Sequence, residues 1–433
     1  MRIKSKTING QDALLILFAI GLTLLLVVRD IMAINLSKFI FLAYIVLFLV
    51  IAKYETMICM LCFVFPLVCG LPGTYLMPVA LVLLLIKKKR INAWQLGLIA
   101  FVAVMELLAC FWYPSVEIAS IVQYVSFAGT MFFLLHDDTE INFLKCVKMF
   151  FWGSCILGVI IVITGVINAP SNWMELFADG HFRFGATHDD ELEGMGLILN
   201  ANALAYYSVA GLFCGVFIVE KTKGVLKRLV YILAIVSCTI SGILTVSRSW
   251  LLVVLLCLAI HLIGKLKSIK KMLVAILVLA LVIAAVAMFM NKNPDLLQGF
   301  VTRFTADDLE GGNGRIETMQ KYFVAFFESL RFVIMGMGVN HAPITGIEFN
   351  MHNGTQQILV CYGVAGFIIF MTGLIRPVII AKKRNKKNIS VAGWLPFLAI
   401  VLFLQTIQFL NPSMQMFPYI VSVFAIKACR KQQ

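Results

Sequence analysis

Long uninterrupted apolar runs are the feature that most constrains the fold of this chain. One run, LVAILVLALVIAAVAMFM at 273–290, is apolar on every side of any helix it forms. Only helices and closed barrels span lipid, because every backbone polar group there must be satisfied internally. Barrel strands alternate polar and apolar residues, and these runs do not. Hydrophobic residues make up 61% of the chain and charged residues 13%, against about a quarter charged in soluble domains. The sequence therefore predicts an all-α, polytopic transmembrane helical bundle.

The hydropathy pattern predicts about 12–14 spans, since each crossing needs roughly 20 apolar residues. The predicted spans lie near 11–28, 34–52, 56–71, 73–86, 93–112, 115–135, 147–167, 194–219, 229–246, 249–264, 272–290, 354–375, 391–410 and 413–427.

Lysine and arginine residues orient these spans. Most of the 36 basic residues cluster on alternate connections: Arg2/Lys4/Lys6, Lys53, 87–90, Lys145/Lys148, 221–228, 265–271, Arg376 with 382–387, and Lys427/Arg430/Lys431. The positive-inside preference assigns that side to the cytoplasm, and both termini with it. The net charge of +14 then reflects topology and anionic lipid headgroups, and no nucleic-acid partner is expected.

The basic residues left for the outer side are mostly arginine. They are Arg29, Lys38, Arg183, Arg248, Lys292, Arg303, Arg315, Lys321 and Arg331. Arginine presents a planar fork of donors that suits phosphate and carboxylate groups. For any single one of these residues, snorkelling or a loop ion pair remains the alternative.

Two outer segments, 168–193 and 291–353, interrupt the apolar pattern. In the second, RIETMQKYFVAFFESL (315–330) has apolar residues at helical spacing, which predicts an amphipathic helix next to the membrane. Asn313 is the predicted N-cap, and the glycines of GMG (336–338) are the predicted stop.

His352 is the strongest candidate for acid–base chemistry in the chain. It stands where a predicted span meets the outer aqueous face, followed by Asn353, and an imidazole exchanges protons near neutral pH. A histidine and an asparagine that merely cap a helix are the alternative. Gly363 and Gly366, about three turns deeper, are expected to allow close helix packing.

At these residues the chain resembles the O-antigen ligase and O-antigen polymerase superfamily. That family's pattern is His, then Asn, Ser or Gln, nine residues, then G-x-x-G, and here His352-Asn353 is followed after nine residues by Gly363-Val-Ala-Gly366. LTVSRSWLLVVL (244–255), NANALAYY (200–207) after Arg183-Phe-Gly, and GRIETMQKYFVAF followed by MGMGVN are similar to further family segments. The matches run in family order across roughly 180–370. Met319 departs from the pattern, where tryptophan is expected.

The resemblance implies an integral-membrane, GT-C-type glycosyltransferase that needs no metal or other cofactor. Its donor would be an undecaprenyl diphosphate-linked oligosaccharide, and its acceptor a glycan hydroxyl. His352, with Asn353, would be catalytic; Arg248 and Arg315 would bind the diphosphate, with Arg183 and Arg303 as second choices. Direct attack implies inversion at the anomeric carbon. The implied setting is the outer face of the bacterial plasma membrane during surface-polysaccharide assembly, with other assembly proteins as partners.

The resemblance also divides the chain. It implies N-terminal transmembrane helices at 1–167, a ligase-like core at 168–375 that holds both outer loops, and C-terminal helices with a basic cytoplasmic tail at 376–433.

Several alternatives remain open from the sequence. A polymerase is favoured over an O-antigen or wall-polymer ligase, which uses the same donor. A peptidoglycan polymerase of the shape-and-division family would use an outer-loop acid, for which Asp307 and Asp308 are available. The acidic runs 188–193 and 307–310 could bind a divalent cation. A flippase for lipid-linked sugars fits the span count, and would place ionisable groups such as Glu106 and His261 within spans.

Overall fold

The computed structural model describes residues 9–112, 118–137, 139, 141–169, 171–178, 183–185, 199–265, 315–339, 351–385, 389–410 and 416–429, with isolated positions between 273 and 302. The regular structure of these residues is helical, without strands. The predicted all-α class is confirmed.

Helices account for most of the described residues. Their bounds are α1 Gly10–Leu26, continued by a π-helical turn at Val27–Ile31, α2 Lys38–Ile51, α3 Tyr54–Val64, continued by a 3₁₀ turn at Phe65–Gly70, α4 Gly73–Lys87, α5 Ala93–Trp112, α6 Ile118–Leu135, α7 Phe143–Ile167, α8 Trp173–Ala178, α9 Ala201–Lys221, α10 Val225–Leu244, α11 Arg248–Lys265, α12 Arg315–Phe327, α13 Leu330–Met335, α14 Gly354–Asn385, α15 Val391–Phe403 and α16 Phe417–Lys427.

Six of these helices are long and apolar enough to cross a membrane: α1 with its π-helical turn, α5, α7, α9, α10 and α14. The remaining predicted spans correspond to shorter apolar helices, except 272–290, which lies outside the continuously described residues. The chain is therefore a multi-pass membrane protein.

Helix α9 forms the centre of the bundle. Of its most apolar stretch 83% is buried, against 22% in α5 and 17% in α10. It packs against α7, α10 and α15. The outer helices instead expose aliphatic side chains, as helices in contact with hydrocarbon do.

Small residues allow α7, α9 and α10 to approach one another closely. A methyl group at Gly211 would lie 2.8 Å from both Ser154 Cβ and Cys238 Sγ, and one at Gly158 would lie 2.7 Å from Ser241 Oγ. Lipid removes most of the hydrophobic drive for helices to associate, so close van der Waals packing of this kind holds the centre together.

A buried polar cluster closes one end of the bundle. Lys88 Nζ lies 3.0 Å from Asp137 Oδ1, and both side chains are almost fully buried. Asp137 also accepts a hydrogen bond from the Tyr54 hydroxyl, while Lys427 Nζ donates to the Leu135 carbonyl at 2.9 Å. Residues from or next to three of the basic clusters thus meet at one end, as expected if those clusters share one side.

Helix α14 extends well beyond the predicted span 354–375. It continues to Asn385, and at about 1.5 Å per residue it is longer than a hydrocarbon core of about 30 Å. Its second half carries Arg376, whose guanidinium lies 4.2 Å from the centre of the Trp94 ring. The excess length therefore ends in the basic cluster at 382–384.

The amphipathic helix predicted at 315–330 is two helices. Helix α12 ends at Phe327, and the Ser329 hydroxyl caps α13 by accepting the Arg331 N–H at 3.3 Å. The stop predicted at 336–338 is confirmed, but it ends α13. The predicted N-cap Asn313 lies outside the described residues.

Only part of the predicted apolar face of α12 packs inward. Tyr322 and Phe326 are buried with Met351 and Val360 in a small separate core. Ile316 and Phe327 of α12 and Leu330 of α13 are more than half exposed. An amphipathic helix with this exposure can contact the membrane interface on its outer side.

Candidate functional site

The start of α14 holds the two predicted catalytic residues. His352 is partly buried and immediately precedes Asn353, whose Oδ1 accepts the Gln356 N–H at 3.0 Å. The Asn353 backbone carbonyl accepts the Gln357 N–H at 2.9 Å. Asn353 is therefore an N-cap, which holds the histidine at the first turn of the helix. Whether Asn353 also acts in catalysis stays a prediction.

Gln356 and Gln357, just after the cap, tie this start to two other elements. Gln357 Oε1 accepts the N–H groups of Phe409 and Leu410, each at 2.8 Å, and so holds the segment after α15. Gln356 points to α12 instead, where its Nε2 lies 3.5 Å from the Met319 carbonyl oxygen. Both glutamines are more than nine-tenths buried.

Gly363 breaks α14 rather than serving as a plain packing glycine. Its φ of 64° and ψ of −177° lie where only glycine is comfortable. The break leaves the carbonyls of Val360 and Cys361 to accept the N–H groups of Met337 and Gly338, at 3.0 and 2.9 Å. The two glycine motifs of the sequence therefore bind each other through their backbones.

Glycine is also required on the other side of this contact. Gly336 and Gly338 have φ of 77° and 78°. A methyl group at Gly336 would collide with the backbone of Cys361 and would lie 2.5 Å from the Gly363 nitrogen. In contrast, Gly366 has the predicted packing role, because a methyl group at this position would lie 3.3 Å from Phe101 of α5.

A buried carboxyl group braces the same turn from α5. Glu106 is 4% exposed, and its Oε2 lies 3.5 Å from the Val339 nitrogen. Tyr362, next to the break, also donates to it. Its other oxygen, Oε1, has no hydrogen-bond partner among the described residues. Glu106 thus joins α5, the turn and α14, a role that differs from the mid-membrane ion site of a transporter.

A small cavity opens beside this junction. It is lined by Met105, Leu108 and Ala109 of α5, by Arg331 and Met335 of α13, and by the turn 336–338. Nearby in α12, burial raises the pKa of Tyr322 to about 12, so its phenol stays protonated.

A second group of predicted residues meets at the start of α9. Arg183 Nε donates to the Thr245 carbonyl at 2.9 Å, and its Nη2 donates to Asn202 Oδ1 at 3.3 Å. Phe184 N–H donates to the Leu244 carbonyl at 3.3 Å. The structure therefore brings together three family-like segments: 183–185, 200–207 and the turn before Arg248.

Arg248 is the first residue of α11 and is partly buried. The turn before it contains Val246 with a φ of 49°, an uncommon conformation for a β-branched residue. Two residues later, Trp250 Nε1 donates to Ser208 Oγ of α9 at 2.9 Å. The position of Arg248 is therefore held from both sides.

Packed rings connect the two groups. Tyr206, one turn after Asn202, lies with its ring 5.4 Å from that of Phe403 at the end of α15. The next residue, Leu404, accepts the Gly354 N–H at 2.7 Å. His352 and the Arg183 corner therefore belong to the same end of the bundle.

The remaining predicted residues are not described at side-chain level. Arg315 begins α12, but its side chain lies outside the described part, as do Arg303 and both acidic runs. Among the described residues, no group of three or more histidine, cysteine or acidic side chains could hold a metal ion. In the sequence, Glu106 stands out only as an ionisable residue within a predicted span, and nothing in the sequence distinguishes Gln356 and Gln357 from other polar residues.

Comparison with known families supports the motifs. Residues 233–371 match the family model described as O-antigen ligase. The match contains His352, Asn353, Arg248, Arg303 and the start of α12 with Arg315, whereas Arg183 precedes it. A comparison with curated proteins finds no match.

Proposed function

We propose that this chain, a membrane glycosyltransferase-type enzyme with an O-antigen ligase domain at residues 233–371, transfers a glycan from undecaprenyl diphosphate to an acceptor sugar hydroxyl. The setting is the outer face of the bacterial plasma membrane during surface-polysaccharide assembly. The observation that carries the proposal is the capped start of α14. His352 immediately precedes this cap, and the same helix is bonded further along to the glycine turn 336–338, all within the matched region.

The chemistry follows from the groups at this end of the bundle. His352 takes the proton of the acceptor hydroxyl as that oxygen attacks the anomeric carbon, and undecaprenyl diphosphate leaves with the bonding electrons. Arginines held in place stabilise the negative charge that grows on the departing diphosphate. Arg248 and Arg315 are the first candidates for this task, and Arg303 is a further one. Because direct attack is a single displacement, the configuration at the anomeric carbon inverts. In this proposal the arginines balance the diphosphate charge in place of a metal ion, so no metal is required.

Arg183 has a different relation to the site. Its guanidinium spans the Thr245 carbonyl and the Asn202 amide, so we assign it first to positioning the turn that carries Arg248. A direct contact with the diphosphate is its second proposed role.

The orientation of the protein is supported by the distribution of charge. Buried Lys88 and partly buried Lys427 mark one end of the bundle, where Asn385 at the C-terminal end of α14 donates to the Ile426 carbonyl at 2.6 Å. The His352 start of α14 marks the opposite end of α14. The positive-inside preference assigns the lysine end to the cytoplasm. Both termini would then be cytoplasmic, and α12 and α13 would cover the outer mouth of the core at 168–375, between the transmembrane parts 1–167 and 376–433.

Transfer is tested with purified protein in lipid, an undecaprenyl diphosphate-linked repeat unit and EDTA. Release of undecaprenyl diphosphate with growing chains, lost in His352→Ala and Arg248→Ala, is expected of the polymerase we favour. Release only with a separate acceptor would make the protein a ligase. Full activity of His352→Ala would refute the proposed mechanism.

Asn353→Ser is the matched control for the cap. Serine is an equally good N-cap, so this variant should keep its activity if Asn353 acts by fixing the helix start. Loss of activity in a stable Asn353→Ser protein would instead assign the amide to catalysis.

A further inference from the structure

Gln356 carries a buried polar atom that the described contacts leave unsatisfied. Gln356 is only 7% exposed, and its Oε1 has no hydrogen-bond partner among the described residues. Its Nε2 makes one long contact of 3.5 Å to the Met319 carbonyl of α12. Stranding a buried carbonyl is unfavourable, so this position calls for an explanation.

The position of Gln356 in the helix shows which hydrogen bond its side chain does not make. With Asn353 as N-cap, Gln356 occupies the third helical position, and its N–H bonds to Asn353 Oδ1 as in a capping box. The reciprocal bond of that motif would run from the Asn353 N–H to the glutamine side chain. Gln356 Oε1 does not make that bond, and the carboxamide turns toward α12.

The orientation of the carboxamide is fixed by its neighbour. The Met319 carbonyl oxygen can only accept a hydrogen bond, so the NH₂ group must face α12. The oxygen of Gln356 then points away from the Met319 carbonyl and stays buried in the first turn of α14, four residues beyond His352.

The chemistry of this oxygen selects its ligand. A diphosphate offers only acceptors at neutral pH, so it would be repelled by Oε1. A sugar hydroxyl donates to an amide oxygen, and it can also accept from the amide nitrogen. His352, four residues away, acts in the proposed function on the acceptor hydroxyl.

We propose that Gln356 is a specificity-determining residue, whose Oε1 accepts a hydrogen bond from a hydroxyl of the acceptor sugar next to the reacting one. Its Nε2 meanwhile keeps α12 against the start of α14. This inference rests on the proposed function, because it presupposes that an acceptor sugar binds beside His352.

The neighbouring glutamine provides a matched control. Gln357→Met strands the N–H groups of Phe409 and Leu410, so it should lower the melting temperature. Gln356→Met removes a stranded oxygen and one long bond, so its melting temperature should stay at or above that of the wild type. Its KM for acceptor should nevertheless rise about tenfold, the effect of one lost hydrogen bond, with the KM for donor unchanged.

Acceptors that lack single hydroxyls make the test independent of folding. Initial rates are measured with the full-length protein in lipid, a fixed lipid-linked donor and a series of monodeoxy acceptors. One deoxy acceptor should be about tenfold poorer than its parent with the wild type, but equally good with Gln356→Met. If every deoxy acceptor loses the same factor in both proteins, Gln356 does not read a hydroxyl.

The control reaction separates the two levels of the proposal. Wild-type transfer that is lost in His352→Ala supports the proposed function, even where Gln356→Met behaves like the wild type. That combination would refute the role of Gln356 alone. Full transfer by His352→Ala would refute the proposed function itself.

Discussion

Replacing Gly363 with alanine should damage both the fold and the transfer reaction. The alanine methyl group would collide with the carbonyl group of Ile334 and would lie 2.6 Å from the Gly336 nitrogen. All of these are backbone atoms, so no rotation of a side chain can relieve the contact. Either α14 must straighten or the turn 336–338 must move away from it.

The size of the effect follows from two contributions. Holding alanine at the φ and ψ of Gly363 costs about 1–3 kcal/mol. Displacing the turn removes its hydrogen bonds to Val360 and Cys361, worth about 0.5–1.5 kcal/mol each. Together they predict a loss of about 2–6 kcal/mol in unfolding free energy. The turn is bonded to α14, which begins just after His352, so a shift of about 1 Å in the start of this helix could lower transfer by on the order of 100-fold.

Thermal unfolding in detergent and the transfer assay in lipid measure these two effects. Gly97→Ala is the matched control, because nothing lies within 4 Å of a methyl group at that position of α5. It should leave the protein equally stable or stabilise it by about 0.5–1 kcal/mol. If Gly363→Ala melts and transfers like Gly97→Ala, the helix break is not what holds the turn.

Substitutions at three further residues test the contacts around the site and at the opposite end. Glu106→Gln should keep near-wild-type stability in a denaturation assay, whereas Glu106→Ala should lose about 1–3 kcal/mol by stranding its donors; equal melting of the two would refute the brace. Arg183→Lys cannot reach both the Thr245 carbonyl and Asn202 in fixed geometry, so transfer should fall although folding is retained, and unchanged kinetics would contradict this. Burial alone would raise the pKa of Asp137, but hydrogen bonds from Thr139 and Tyr54 and the charge of Lys88 outweigh it and hold that pKa below its usual value. The stability that the ionised Asp137 contributes is present above its unfolded pKa of about 3.9 and is lost as pH falls through the lower folded pKa. Asp137→Asn should abolish this acid dependence and cost about 3–5 kcal/mol by stranding Lys88. An unchanged acid unfolding curve would exclude the Asp137–Lys88 pair as the cause of the acid dependence.

The contacts also explain why the separated family-like motifs occur together in one chain. Segments 183–185, 200–207 and 244–255 meet through Arg183 and the turn before α11. The turn 336–338 and Gly363 meet through their backbones. Motifs that are separated in the chain therefore form two contact regions at one end of the bundle. His352 lies just before the helix that forms the second region, the one between the turn 336–338 and α14.

The sequence alone was sufficient for the class of fold and most of its elements. Apolar runs cannot be satisfied in water and cannot expose their backbones in lipid, so helices are required wherever such runs occur. The shared end of Lys88 and Lys427 also followed from charge alone. His352 could be proposed because a titratable group at a span mouth stands out against an uncharged background.

Tertiary structure alone decided how the glycines and amides are used. The spacing of Gly363 and Gly366 in the sequence is as compatible with close helix packing as with a helix break. Only the approach of the 336–338 turn explains the positive φ at Gly363. The same holds for Gln356 and Gln357, which are adjacent and chemically identical. The oxygen of Gln357 accepts two hydrogen bonds, whereas the oxygen of Gln356 is unsatisfied among the described residues. Hydrogen-bond partners that lie about 40 to 50 residues away in the chain leave no trace in local periodicity, because that periodicity records which face is apolar and not what packs against it.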